Sequence, residues 1–271
     1  VDIVLVGPGR AGLALAVRFV AAGHRVVGVV ARTDESAEAG AVLVGSSPVP
    51  DGEHLPKSDL LVIAVRDDDV ADAARSLAPR SAGVSAAVHV SGLTSVAALD
   101  PLAATMPVGS FHPLQTLPDP QSGARRLAGA WVAVTVFDEG LASTLDDLAR
   151  SIGCHPFRLA DEVKPLYHAA AAAASNYPIA ALAMAERLFS TAGVPFEAAR
   201  PLVEAVVANA FELGPGSALT GPIARGDVGT VGAQVAAVAH AAPDLLEHFR
   251  SFGLAVADLA GQGDEMKDVL R

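Results

Sequence analysis

Cysteine is almost absent from this chain: its 271 residues include one, Cys154. A lone thiol excludes an intramolecular disulfide and a cysteine-rich metal site. It suits a reducing compartment, so the expected location is the cytoplasm, and no metal is expected. Basic residues are also in deficit, with 19 Lys and Arg against 30 Asp and Glu and a formal net charge of −11. A surface of that sign repels phosphate backbones, which argues against nucleic acid as a partner. Long apolar runs are missing too. A membrane helix needs about 18 or more apolar residues without charge, and the nearest approach, residues 166–185, carries His168, Asn176 and Pro178. No membrane partner is expected, and no basic leader precedes the first apolar run. The chain opens on Val1 rather than Met, which implies that a few native residues precede it. What remains is 51% hydrophobic and 18% charged. That is the composition of a compact chain, long enough for one large domain or two modest ones.

The chain is organised around its first dozen residues. Ile3 to Val6 form a short, wholly apolar run of the kind a buried parallel strand requires. Gly7-Pro8-Gly9-Arg10-Ala11-Gly12 follows at once, and Leu13 to Val20 reads as a helix. In a dinucleotide-binding turn the first glycine permits the tight bend. The second lets the backbone approach a pyrophosphate, and the third allows helix to pack on strand. Free amides and the dipole at the helix start favour the anionic phosphates.

Strand and helix patterns then alternate. Arg25–Ala31, Leu60–Val65, Ala86–Val90, Val108–Phe111, Trp131–Phe137 and His155–Leu159 read as strands, and Val42–Val44 as a short one. Asp34–Gly40, Val70–Leu77 and Leu141–Ile152 read as helices. Repeated units of this length predict an α/β doubly wound parallel sheet, a Rossmann-type domain. Beyond residue 160 no strand pattern appears. Val163–Ala192, Phe196–Leu213, Val228–His240 and Asp244–Leu259 are helical, so the reading is a Rossmann domain over 1–160 and an all-α domain over 161–271.

Candidate chemistry gathers at the strand ends. NAD-binding folds usually place Asp or Glu about 20 residues after the glycines, on the ribose 2′-hydroxyl. Here the second strand ends Val30-Ala31-Arg32-Thr33, with Ser36 beyond. An arginine with hydroxyl neighbours suits a 2′-phosphate, so NADP is the expected cofactor; the alternative is a strand-end arginine in solvent. Val65 and Arg66 end another strand, and Ser91 ends the next, where ligands of open sheets bind. Ser91 reads either as a turn cap or as a contact to the ligand, and His89, inside an apolar strand, as a core histidine. His112, made rigid by Pro113, is placed to give a proton to a carbonyl or to pin a loop.

In the long helix, Lys164, His168 and Ser175 fall within roughly 40° of one another, with Asn176 at the margin. Such a face can hold a substrate or meet solvent. Pro178 removes a backbone donor and should kink the helix. Asp227 with Thr230 reads as a helix cap, leaving Arg225 and Lys164 to hold a substrate carboxylate. Two stretches, Leu202–Ala210 and Val231–Ala239, are more apolar than one small domain easily buries, which predicts a homodimer through the C-terminal helices.

These segments resemble a bacterial family that joins a Rossmann-like domain to a conserved helical domain of unknown function. The resemblance is carried by Gly7–Gly12, Val90-Ser91-Gly92, Phe111-His112-Pro113-Leu114-Gln115, Tyr167-His168-Ala169-Ala170, Ser175-Asn176-Tyr177, Leu219-Thr220-Gly221-Pro222 and Arg225-Gly226-Asp227. Wider similarity runs to pyrroline-5-carboxylate and ketopantoate reductases, prephenate dehydrogenases and β-hydroxyacid dehydrogenases, with a helical domain like that of 6-phosphogluconate dehydrogenase. It implies hydride transfer to a small anionic oxo or imino acid. His112 is similar to the strand-end histidine of prephenate dehydrogenases. Lys164 and Asn176 are similar to the lysine and asparagine of β-hydroxyacid dehydrogenases, at a wider spacing. The expected catalytic set is His168, Lys164, Asn176, His112 and Ser91, with Arg225 and Asn176 on the substrate. The other class of function open to such a chain is a non-enzymatic NADP-binding sensor or assembly protein.

Overall fold

The computed structural model describes residues 1–271 as two compact units, 1–173 and 174–271. The first is built on a seven-stranded sheet of order β2-β1-β3-β4-β5-β6-β7. Its strands are β1 (Asp2–Val6), β2 (Arg25–Val30), β3 (Leu60–Ile63), β4 (Ala87–His89), β5 (Val108–Leu114), β6 (Trp131–Val136) and β7 (His155–Arg158). Between them run α1 (Arg10–Ala21), α2 (Asp34–Val44), α3 (Val70–Leu77), α4 (Asp100–Ala103), α5 (Pro120–Arg126) and α6 (Glu139–Ser151). The doubly wound, Rossmann-like architecture expected from the alternation of elements is present. One pair departs from it: β5 and β6 run antiparallel, in register from Gly109↔Val136 to Leu114↔Trp131. The short α5 does not carry the chain back to the sheet's starting edge, as a parallel crossover must.

Apolar residues cover both faces of the sheet. Leu15, Phe19, Phe111, Leu127, Val132, Leu145 and Leu148 form one core layer. Val4, Leu61, Ile63, Val70, Leu77, Leu99 and Leu102 form the other. Such continuous apolar strands are what burial on both faces demands. Two expected elements are corrected. Residues 42–44 are not a strand: the helix begun at Asp34 continues through them to Gly45, whose φ of 67° closes it in the left-handed region. Val42 is 83% exposed, which a buried strand would not allow. His112 does not follow its strand but lies within it, because pairing with β6 extends β5 to Leu114.

After β7 the chain turns through residues 161–163 into α7 (Lys164–Thr191), whose opening turns belong to the first unit. The helix passes through Pro178 without interruption. The second unit adds α8 (Arg200–Leu213), α9 (Pro215–Ala218), α10 (Val228–Ala241), α11 (Leu246–Leu259) and α12 (Asp264–Leu270). Its core is small: Val231, Val235, Ala257, Met266 and Leu270. α8 buries no residue at all, and Phe211 is 88% exposed. No helix is long and apolar enough to cross a membrane.

Candidate active site

The site lies at the C-terminal ends of β1, β3, β4 and β5, where the chain leaves β1 for β2 on one side and later returns to β3 on the other. A crevice forms at such a switch point because neighbouring connections diverge there. It is a cleft of about 570 Å³, lined among others by Gly9, Arg10, Ala64, Val65, Arg66, Val90, His112 and Gln115.

The glycine turn is tightly determined. Gly7 has φ +87°, and its amide donates to Val30 O at 2.9 Å, tying the turn to the end of β2. A β-carbon on Gly12 would stand 2.4 Å from Gly7 O, so only glycine lets α1 start here. Gly9 is different. A β-carbon there would meet no atom of the chain within 4 Å. Its extended φ of −78° is open to any residue, so nothing inside the protein asks for glycine at this position. A ligand pressed against the backbone would, and a pyrophosphate on the amides that open α1 fits that space.

At the end of β2, Arg32 is exposed and carries no carboxylate beside it in sequence. Thr33 caps α2, its hydroxyl accepting from Ser36 N at 3.3 Å and donating to Ser36 Oγ at 2.8 Å. Both hydroxyls stay at the surface of that cap. Arg66, at the cleft, is paired with Asp69, Nε to Oδ2 at 2.9 Å. The Arg66 guanidinium, and more weakly Arg32, holds the Asp69 carboxyl below its ordinary range.

Ser91 is engaged as a turn cap: its hydroxyl accepts from Leu93 N and Thr94 N and donates to Thr94 Oγ1. Its own amide donates to Nδ1 of the fully buried His89 at 3.2 Å, which fits His89 as a core histidine. Burial, then the Lys164 charge, pushes it down to about 3, so it is neutral.

His112 faces the cleft from β5. Its Nδ1 lies 2.8 Å from Tyr167 Oη, and the two rings meet edge-on, 5.5 Å between centroids. Nε2 makes no hydrogen bond within the protein, yet it is not among the sealed polar atoms. It is therefore the nitrogen left for a ligand. Burial first, then the nearby His168, pushes His112 down to about 4. At neutral pH the ring is uncharged, so it hydrogen-bonds a carbonyl rather than delivering a proton from an imidazolium.

Lys164 is among the largest fully buried side chains. Its ammonium donates to Thr94 O at 2.9 Å and meets Asp161 Oδ1 at 2.9 Å. His168 is half-buried near His112, whereas Ser175 and Asn176 are exposed and belong to the second unit. The first unit thus brings together the glycine turn, Val65, Arg66, Ser91, His112, Lys164 and His168. Arg225 stands exposed in the second unit near Asp227, which caps α10 by accepting from Thr230 N. Tyr167 is a further site residue, beyond those the sequence pattern singles out. The signal for it was present, since it is three residues from Lys164 and one of two tyrosines in the chain.

A glycine-turn cleft at the switch point of a mainly parallel sheet defines a Rossmann-like protein, and residues 1–113 match the model of the Rossmann-like domain. Residues 130–256 match the domain of unknown function DUF2520. The chain therefore carries a Rossmann-like domain followed by a DUF2520 domain. Solved structures with the same layout include protein BF3122 of Bacteroides fragilis, provisionally assigned as an NADP oxidoreductase. It is 23% identical with a TM-score of 0.79, over 95% of this chain and 98% of that one. Protein TM1727 of Thermotoga maritima is 22% identical with a TM-score of 0.70, over 95% and 98%. A pyrroline-5-carboxylate reductase of Coxiella burnetii is 16% identical with a TM-score of 0.58, over 96% and 97%. At these identities the likeness is one of fold. No curated protein matches the chain.

Proposed function

We propose that the chain is an NADPH-dependent oxidoreductase acting on a small anionic oxo or imino acid, as a cytoplasmic homodimer joined through its C-terminal helices. The observation that carries this reading is the pairing of two features: Gly9, a glycine no protein atom requires, and Arg32, at the neighbouring strand end where an NAD-binding carboxylate is missing. The structural likeness to BF3122, provisionally assigned as an NADP oxidoreductase, and to a pyrroline-5-carboxylate reductase supports it.

In this reading Gly7 to Gly12 hold the pyrophosphate and Arg32, with Thr33 and Ser36, the 2′-phosphate. When bound, the cofactor supplies the hydride. His112 then presents Nε2 to the oxygen or nitrogen that gains charge, and His168 is the group beside it able to carry a proton. Lys164 is left out of substrate contact, since its ammonium is spent on Asp161 and Thr94. That internal use also favours the second reading, a nucleotide-binding protein without turnover.

Fluorescence titration with NADPH and NADH separates these outcomes. Tighter binding of NADPH is expected; equal affinity removes the assignment to NADP. A screen of NADPH oxidation against small 2-oxo and cyclic imino acids then tests for catalysis, and binding without oxidation across that screen leaves the sensor.

A further inference from the structure

Three pieces of the first unit enclose His112. Gly92, just after β4, lies against the ring: a β-carbon there would stand 2.8 Å from both Cε1 and Nε2. Tyr167, on the first turns of α7, holds Nδ1 from the other side. The third piece ties these two together. Lys164, one turn before Tyr167, reaches Thr94 O in the loop that carries Gly92. Asp161, just before α7, pairs with Lys164 and also accepts from Ser95 Oγ and, at 3.1 Å, from Val96 N in that same loop. The Lys164 ammonium is buried and bridges Asp161 to Thr94 O, reinforcing the direct bonds from Ser95 and Val96 to Asp161.

The Tyr167–His112 bond has a preferred direction. A ring nitrogen with a free lone pair is a stronger acceptor than a phenol oxygen. The Tyr167 hydroxyl is given no other acceptor in the structure, so it donates to Nδ1. The proton of the neutral imidazole is then on Nε2, the nitrogen that borders the cleft.

We propose that Tyr167 and Lys164 are positioning residues, the first turn of α7 acting as a clamp that locks His112 as the Nε2–H tautomer and aims that N–H into the cleft. Tyr167 sets the tautomer. Lys164, with Asp161, holds the turn at the distance at which the phenol reaches. The lock makes the site an obligate hydrogen-bond donor at His112, which selects ligands presenting a carbonyl, imine or anionic oxygen and disfavours those presenting only N–H or O–H there. The selectivity rests on the reading of His112 as the group that meets the substrate; the lock itself does not, and is read on the protein without any ligand.

The groups facing His112 are Tyr167, His168 and Lys164 of α7, Asp67 after β3 and His89 of β4. None of them but Tyr167 touches Nδ1.

The experiment uses the full chain with ¹⁵N-labelled histidine and two-bond ¹H–¹⁵N correlation spectra at pH 7. The expected wild-type result is a single Nε2–H pattern for His112. Tyr167→Phe, which removes only the hydroxyl, should turn it into a mixture of tautomers while the melting temperature changes little. Lys164→Met and Asp161→Asn break the tie in two independent ways, and each folded variant should show partial loss of the lock. An Nδ1–H pattern in the wild type, or an unaltered pattern in Tyr167→Phe, overturns the proposal. An unaltered pattern in either folded tie variant removes Lys164 from it. Failure of NADPH to bind, by contrast, strikes the functional reading and leaves this result standing.

Discussion

Gly92 and His112 are in direct contact across β4 and β5, the glycine's α-carbon being so near the ring that a methyl group would reach 2.8 Å from Cε1 and Nε2. The ring cannot retreat freely, because Tyr167 holds its far side. Gly92→Ala should therefore cost about 1–3 kcal/mol, the range for overpacking a filled site, and shift the His112 resonances. Chemical denaturation and histidine spectra check this. A variant with wild-type stability and unmoved His112 signals contradicts the contact.

Arg32→Ala tests the anion site at β2. An ionic hydrogen bond to phosphate contributes about 1.5–3 kcal/mol, so NADPH affinity should fall roughly ten- to a hundredfold while NADH affinity stays level. A parallel loss for both cofactors would mean that Arg32 supports the fold and does not read the 2′-phosphate.

Acid should destabilise the protein early, through two histidines. Burial lowers His89 to about 3 and His112 to about 4, both below the ordinary value of 6.5. The unfolded chain therefore takes up these protons first as pH falls. Stability from the two neutral rings is complete above about pH 6.5, declines below it, and is exhausted once the folded-state values near 3 to 4 are passed. Each contributes up to about 1.4 kcal/mol per pH unit inside that window. Denaturant melts at pH 7 and pH 5 should show the fall before most carboxylates titrate. Histidine spectra should show at least two of the eight histidines still neutral at pH 5. All eight titrating between pH 6 and 7 rules this out.

The helical unit should bring two copies together. Leu202, Val206, Val207, Phe211 and Leu213 of α8 are all at least half exposed, and no residue of that helix is buried. Large apolar side chains left exposed around a helix that buries none of them are the mark of a surface awaiting a partner. Light scattering at micromolar concentration is expected to give twice the chain mass. A monomer there, with α8 substitutions to Asp leaving solubility unchanged, refutes it.

Replacing His168 or Asn176 by Ala should leave NADPH affinity almost unchanged but lower turnover by about a hundredfold or more, once an active substrate is in hand. Without one, a crystal structure with NADP serves. A nicotinamide ring distant from residues 164–176 of either subunit removes the helix from the chemistry.

Much of this was legible in the linear chain because it is local. The wholly apolar run Ile3–Val6 followed by three spaced glycines specifies strand, turn and helix within a dozen residues, and the left-handed Gly7 bears it out. The cap at Asp227 and the turn at Ser91 are contacts of three residues or fewer, readable from spacing. The short strand expected at 42–44 failed for a local reason as well: two valines around a leucine do not end a helix that has a glycine cap waiting at Gly45.

The sequence by itself determined a nucleotide-type turn, the alternation that builds a doubly wound sheet, and the switch to helices near residue 160. Pairing between distant segments was left to the tertiary structure. Only there does β6 reverse against β5 and draw His112 into the strand, since strand direction depends on where a connection lands and not on the residues within it. Only there does Lys164 turn from a free cation on a helix face into a buried ion paired with Asp161. Helical spacing fixes which residues share a face, but not what that face meets. And the bond from Tyr167 to His112 spans 55 residues, a distance at which only the packing of α7 against the sheet decides which nitrogen of the ring is held and which is free.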